Sequence, residues 1–164
     1  METVAQPITA KKMNDLRTLD GLDVAGKRVL VRVDFNVPMH NGEVTCDIRV
    51  RQAIPTLAEL ASKGARVIVA SHMGRPKGEI VPELSLEPVA QSLQTHMPKT
   101  DIKFVEDTIG AVAKTASQTL SPGQIMVLEN LRYLPGEEDN DQAVIEGLAQ
   151  LADIYVDDAF SCAH

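Results

Sequence analysis

Aromatic residues are scarce in this sequence. Trp is absent, and Phe, Tyr and Trp together make up 3% of 164 residues. That argues against the base-stacking platforms that hold single-stranded nucleic acid. Cationic side chains are outnumbered, with 16 Lys and Arg against 23 Asp and Glu and a formal net charge of -7. General nucleic-acid binding rests on phosphate neutralisation and is disfavoured by that balance. Cysteine occurs only at Cys46 and Cys162, which makes neither a disulfide framework nor a paired metal knuckle. No apolar run approaches the roughly 18 residues of a membrane span, so no membrane is expected as a partner. No Asn-x-Ser/Thr acceptor occurs, and residues 1–12 lack the apolar core of a secretory signal. The expected compartment is a reducing cytoplasm. His40, His72, His96 and His164 show no metal-ligand spacing, so no metal site is expected.

What is present is a globular composition, 44% hydrophobic and 24% charged. The length suits one domain or a piece of something larger. Short apolar runs alternate with amphipathic stretches. Arg28–Val33, Ala65–Ala70, Ile102–Val105, Ile125–Leu128 and Asp153–Val156 are of strand length. Three of them are nearly continuous in apolar character, which predicts parallel strands buried on both faces. Apolar residues from Ile48 recur at three- and four-residue spacing, with Asp47 as the expected N-cap and Gly64 just past the end. Pro55 inside that helix predicts a kink or a later start. Further helices are expected over Leu86–His96, from a cap at Asp107 to about Leu120, and from a cap at Asp141 through Leu151. Pro135–Asp141 reads as a loop. The strand–helix alternation predicts an α/β fold with a mainly parallel sheet.

Open parallel sheets bind ligands outside the carboxyl ends of their strands. The residues that follow the runs therefore matter. Asp34-Phe-Asn36 follows the first, Ser71-His72-Met-Gly74-Arg75 the second, and Glu129-Asn130-Leu-Arg132 the fourth. Arg49 reaches the same edge if the loop before it folds back. Arg offers a planar fork of donors for carboxylate or phosphate oxygens. Three arginines and a histidine on one rim would make a positive field inside an acidic protein and focus a small anion. Asn36 can donate through its amide, whereas ionised Asp34 only accepts and suits a hydroxyl. Taken singly, each residue also reads as a surface ion pair, a satisfied histidine or a turn residue. Two tempting motifs fail. Gly21–Arg28 lacks the Ser or Thr of a phosphate loop and precedes a strand instead of following one, and no Gly-x-Gly-x-x-Gly occurs.

Four segments in order carry a resemblance. Val31-Arg-Val-Asp-Phe-Asn-Val-Pro38, Ser71-His-Met-Gly-Arg-Pro76, Leu128-Glu-Asn-Leu-Arg132 and Asp153-Ile-Tyr-Val-Asp-Asp-Ala-Phe160 resemble the amino-terminal half of phosphoglycerate kinases. The likeness runs from about Met13 to His164. It implies a Rossmann-like, three-layer αβα lobe over residues 13–164, incomplete at its carboxyl end, after an extension over residues 1–12. It implies a lobe that binds 3-phosphoglycerate or 1,3-bisphosphoglycerate, while a second lobe, absent from this sequence, binds Mg-ATP or Mg-ADP. It implies that Asp34 and Asn36 contact the glycerate end, that His72, Arg75 and Arg132 hold the 3-phosphate, and that Arg49 stabilises the transferring group. It further implies a monomeric whole enzyme of glycolysis and no kinase activity in this chain alone. Asp157 stands where the family often has Asn, Ser161-Cys162 replaces a common Gly-Thr pair, and the sequence stops one residue before an expected Arg. Two other readings stand beside it. One is a stand-alone anion-binding or regulatory module of Rossmann-like shape. The other is a truncated chain that folds poorly.

Overall fold

The computed structural model describes residues 18–159. The expectations for residues 1–12, the Met13 start, Ser161, Cys162 and His164 lie outside the described residues. Five parallel strands form the main sheet: β1 (Arg28–Val33), β4 (Arg66–Ala70), β5 (Ile102–Val105), β6 (Ile125–Leu128) and β7 (Ile154–Asp158). Their order across the sheet is β5-β6-β4-β1-β7. Val67 stands in register with Val29 on one side and Ile125 on the other. The central strands are buried almost end to end, and every residue of β6 is buried. That is why they read as continuous apolar runs: both faces of a parallel sheet are covered.

Each face carries two helices. α1 (Ile48–Ser62) and α2 (Glu87–His96) pack Leu57, Leu60, Val89 and Leu93 against Val29, Val31, Val67, Val69 and Val127. α3 (Ala111–Thr119) lies on the other face with α4 (Gln142–Ala149), where Ala113, Ala116 and Leu148 join Leu30, Ile68, Met126 and Leu128. Alternate residues of β1, β4 and β6 thus feed opposite cores, giving the three layers. α4 comes close because residue 147 is Gly. A Cβ there would lie 2.7 Å from Ile109 Cδ1.

The helix ends correct three expectations. Asp47 makes no side-chain cap bond to α1; its carboxylate instead takes Arg51, at 3.1 Å, and His96, at 2.6 Å. The two side chains of α1 and α2 are thereby tied across the layer. Pro55 sits exposed inside α1, and the helix begins at Ile48 and not later. Its missing N–H costs little where the freed carbonyl meets water. Asp107 stands before α3 but not at its N-cap position, which is Gly110. Its carboxylate still accepts from Gly110 N at 3.2 Å and Ala113 N at 2.9 Å. Asp141 caps α4 as expected, accepting from Ala143 N at 2.8 Å.

The last strand starts one residue later than its apolar run suggests. Asp153 is occupied in a clamp with Arg28 at the opposite end from the ligand edge, with Arg28 Nη2 donating to Oδ1 at 2.8 Å and Arg28 N to Oδ2 at 2.9 Å. These hydrogen bonds hold the Asp153 carboxyl down at about 2. A short hairpin, β2 (Met39–His40) and β3 (Glu43–Val44), was not expected. Its Asn41-Gly42 turn has φ of 49° and 78°, the geometry that a tight two-residue hairpin needs. Among the described residues, no helix is long and apolar enough to cross a membrane.

Candidate functional site

A cleft of about 1170 Å³ opens at the carboxyl ends of β1 and β4 and continues along α4 and β7 as far as Asp153. Three connections build its rim: residues 34–38 after β1, 71–86 after β4, and 129–134 after β6. They are tied together from beneath by buried polar side chains. Ser71, fully buried, donates to Val33 O at 2.7 Å and accepts from Phe35 N at 2.9 Å, joining the ends of β1 and β4. Asn130, also fully buried, donates to Met73 O and Leu84 O and accepts from Met73 N and Arg132 N. Glu129 accepts from Ser85 Oγ and Leu86 N, at 2.8 and 2.9 Å. Tyr133 Oη donates to Val81 O, and burial pushes this phenol up to about 12. A fully satisfied buried network of this kind rigidifies the loops it joins.

On this frame the six residues singled out in the sequence all line the one cleft. Asn36 accepts from Gly74 N at 3.0 Å. Gly74 can serve there because its φ is +58°, and a Cβ would meet Leu84 Cδ2 at 2.9 Å. Arg49 does fold back: its Nη1 donates to Asp34 Oδ1 at 3.0 Å and to Asn36 O at 2.8 Å. Arg132 Nη1 donates to Gly74 O at 2.8 Å, and its Nε is buried with no hydrogen-bond partner among the described residues. Arg75 is exposed at the edge.

His72 corrects the expectation of a positively charged histidine on the rim. It is 5% exposed, and burial pushes its imidazole down to about 4, with Arg132 and Arg32 pushing the same way. It is neutral at pH 7. Its Nδ1 lies 3.3 Å from Arg32 Nη2, which can only donate, so the ring proton belongs on Nε2. Two further residues complete the rim without having been picked out beforehand. Arg32 lies between His72 and Glu137, donating to Glu137 Oε1 at 3.0 Å. Its signal was parity: it is two residues before Asp34 and so shares that residue's face of β1. Glu137 belongs to the 135–141 connection, which is indeed a loop, but one that bends its acids back over the arginines. The rim is therefore less positive than a count of its arginines suggests. Asp157 also lines the cleft, and its Oδ1 accepts from Ala159 N at 3.0 Å. An Asn would accept the same bond, so this departure from the family pattern leaves the local turn intact.

The sequence model of the family described as Phosphoglycerate kinase matches residues 19–164. The chain belongs to the phosphoglycerate kinase family. It is 50% identical over 148 residues to a phosphoglycerate kinase of Ruegeria sp. (strain TM1040), covering 90% of this chain and 37% of that one. It is 52% identical, with the same coverage, to a phosphoglycerate kinase of Bartonella bacilliformis. Among solved structures, phosphoglycerate kinase from Coxiella burnetii superposes with a TM-score of 0.78 at 38% identity, over 89% of this chain and 36% of that one. The enzyme from Pyrococcus horikoshii OT3 gives 0.79 at 28% identity, over 91% and 38%. The chain thus spans little more than a third of the length of the family members it matches. The αβα layers described above are those of one lobe of this family's fold.

Proposed function

We propose that this chain is the amino-terminal, phosphoglycerate-binding portion of a phosphoglycerate kinase. The whole enzyme would move the terminal phosphoryl group of ATP onto the carboxylate oxygen of 3-phosphoglycerate, giving ADP and 1,3-bisphosphoglycerate, and back. One observation carries the reading: Asp34, Asn36, His72, Arg75 and Arg132 come from three separate connections and Arg49 from the first turn of α1, yet all line a single cleft. In it, His72 Nε2–H, Arg75 and Arg132 hold the phosphate that is not transferred. Asp34 accepts from the substrate hydroxyl, and Asn36 donates to the carboxyl end. Arg49, at the first turn of α1, stabilises charge on the transferring group. Catalysis of phosphoryl transfer is mainly positioning and charge stabilisation, which is what a preset rim of donors supplies.

Mg-ATP or Mg-ADP would be bound by the other lobe of the enzyme. Among the described residues no three His, Cys, Asp or Glu side chains converge to hold a divalent ion, so no step is assigned here to the metal nucleotide. The lobe is taken to run over residues 13–164 behind an extension of residues 1–12. The whole enzyme is taken as a cytoplasmic monomer with neither nucleic acid nor membrane as partner. The test is an NMR titration of the 164-residue chain with millimolar 3-phosphoglycerate, beside a coupled kinase assay. Shifts at His72, Gly74 and Arg132 without turnover are expected. Unmoved signals in the three rim connections, or turnover by the chain alone, would sink the proposal.

A further inference from the structure

The rim carries a carboxylate that no anion-binding role explains. Glu137 Oε1 accepts from Arg32 Nη2 at 3.0 Å, and Oε2 stands 3.6 Å from Arg132 Nε. The Glu137 side chain is 12% exposed. Its neighbour Glu138 is 3.5 Å from Arg132 Nη2 but 52% exposed. Glu137 is built in by its loop: Glu137 N donates to Leu134 O, Asp141 N donates to Gly136 O, and Asp141 in turn caps α4. Gly136 has a φ of +85°, and a Cβ there would lie 2.6 Å from Asp141 Cβ. The carboxylate is thus held against the cations by backbone geometry. Arg132 Nε, buried and without a hydrogen-bond partner among the described residues, is close enough to feel its charge and too far to be bonded by it.

We propose that Glu137 is a specificity-determining counter-anion of the rim. Its negative charge lowers the affinity of the cleft for any anion that reaches Arg132. A bare phosphate or sulfate has only the contacts to His72, Arg75 and Arg132 and is disfavoured. A ligand that also engages Asp34, Asn36 and Arg49 gains enough elsewhere to overcome the repulsion. Specificity built in this way is a penalty on the wrong ligand, which a second set of contacts repays for the right one. The same charge holds the guanidinium of Arg32 in place. The inference rests on the reading of this rim as a phosphoglycerate site.

The experiment is calorimetric or NMR titration of the full 164-residue chain, its Glu137→Gln variant and its Glu138→Gln variant, each with inorganic phosphate and with 3-phosphoglycerate. Glu137→Gln is expected to bind phosphate roughly tenfold tighter, with a gain of about threefold or less for 3-phosphoglycerate and a steeper salt dependence. Glu138→Gln, whose charge is more solvated, is expected to show a smaller gain. If Glu137→Gln binds both ligands as the parent does, or binds both more weakly, Glu137 merely positions its neighbours and the proposal is overturned while the phosphoglycerate reading stands. If neither ligand moves any rim signal in parent or variant, both fall together. Should Glu137→Gln lose its cooperative melt, Glu137→Asp draws the carboxylate back from Arg132 with its charge kept. An intermediate gain for phosphate is then expected, and an unchanged affinity overturns the proposal.

Discussion

His72 shows how a single residue's chemistry departs from its type. Folded, its imidazole titrates near 4 against 6.5 for a free side chain, so the unfolded chain takes up the proton first. Its contribution to stability is fully present above about pH 6.5 and is lost as pH falls toward 4. After allowance for solvent screening, that loss is on the order of 2 kcal/mol. Urea unfolding at about pH 7.5 and about pH 4.5 checks it: the parent is expected to lose that amount relative to His72→Gln, which keeps a neutral donor and does not titrate. Equal losses in both proteins would show that other groups carry the acid sensitivity. At this scale the sequence was informative where one residue follows a strand end, as with Asp34, Asn36 and His72. It was silent on charge state, because His72 is kept neutral by burial in the folded core and by the charges of Arg132 and Arg32, far from it in the chain.

At the scale of elements, the unit that matters is the pair of connections after β4 and β6. Asn130 joins them with bonds to Met73, Leu84 and Arg132. Asn130→Asp removes both donors and puts a carboxylate beside two carbonyl oxygens in a fully buried place. A loss of about 3 kcal/mol is expected. It should come with faster hydrogen exchange at Met73 and Gly74 and weaker binding of 3-phosphoglycerate, while the amides of β1 remain protected. Exchange that quickens uniformly over the sheet would instead mean global unfolding. Strands and helices here were legible from periodicity, since each buries a whole face. The caps were less so. An Asp before a helix can bond the first turn, as Asp141 does, or turn to neighbouring side chains, as Asp47 does with Arg51 and His96. Which one wins depends on what packs beside it.

For the whole molecule, the two apolar layers share one sheet, so they should melt together. Leu57 is fully buried in the layer under α1. Leu57→Ala is expected to cost about 2–5 kcal/mol and to leave a single transition by circular dichroism. Two separate transitions would show that the faces fold independently, and a featureless melt of the parent would support the reading of a chain that folds poorly. The composition and the order of apolar runs determined the fold class, the parallel sheet and the edge at which a ligand would sit. Continuous burial on both faces leaves no other pattern, and the strand ends follow from it. Family resemblance added the chemistry that four motifs carry. Only the tertiary structure decided the electrostatics of the rim. Arg32, hidden in a strand, and Glu137, in a polar loop, meet His72 and Arg132 across separations no local pattern records. Charge acts through space, so the sign and strength of a site are set by which connections fold over it.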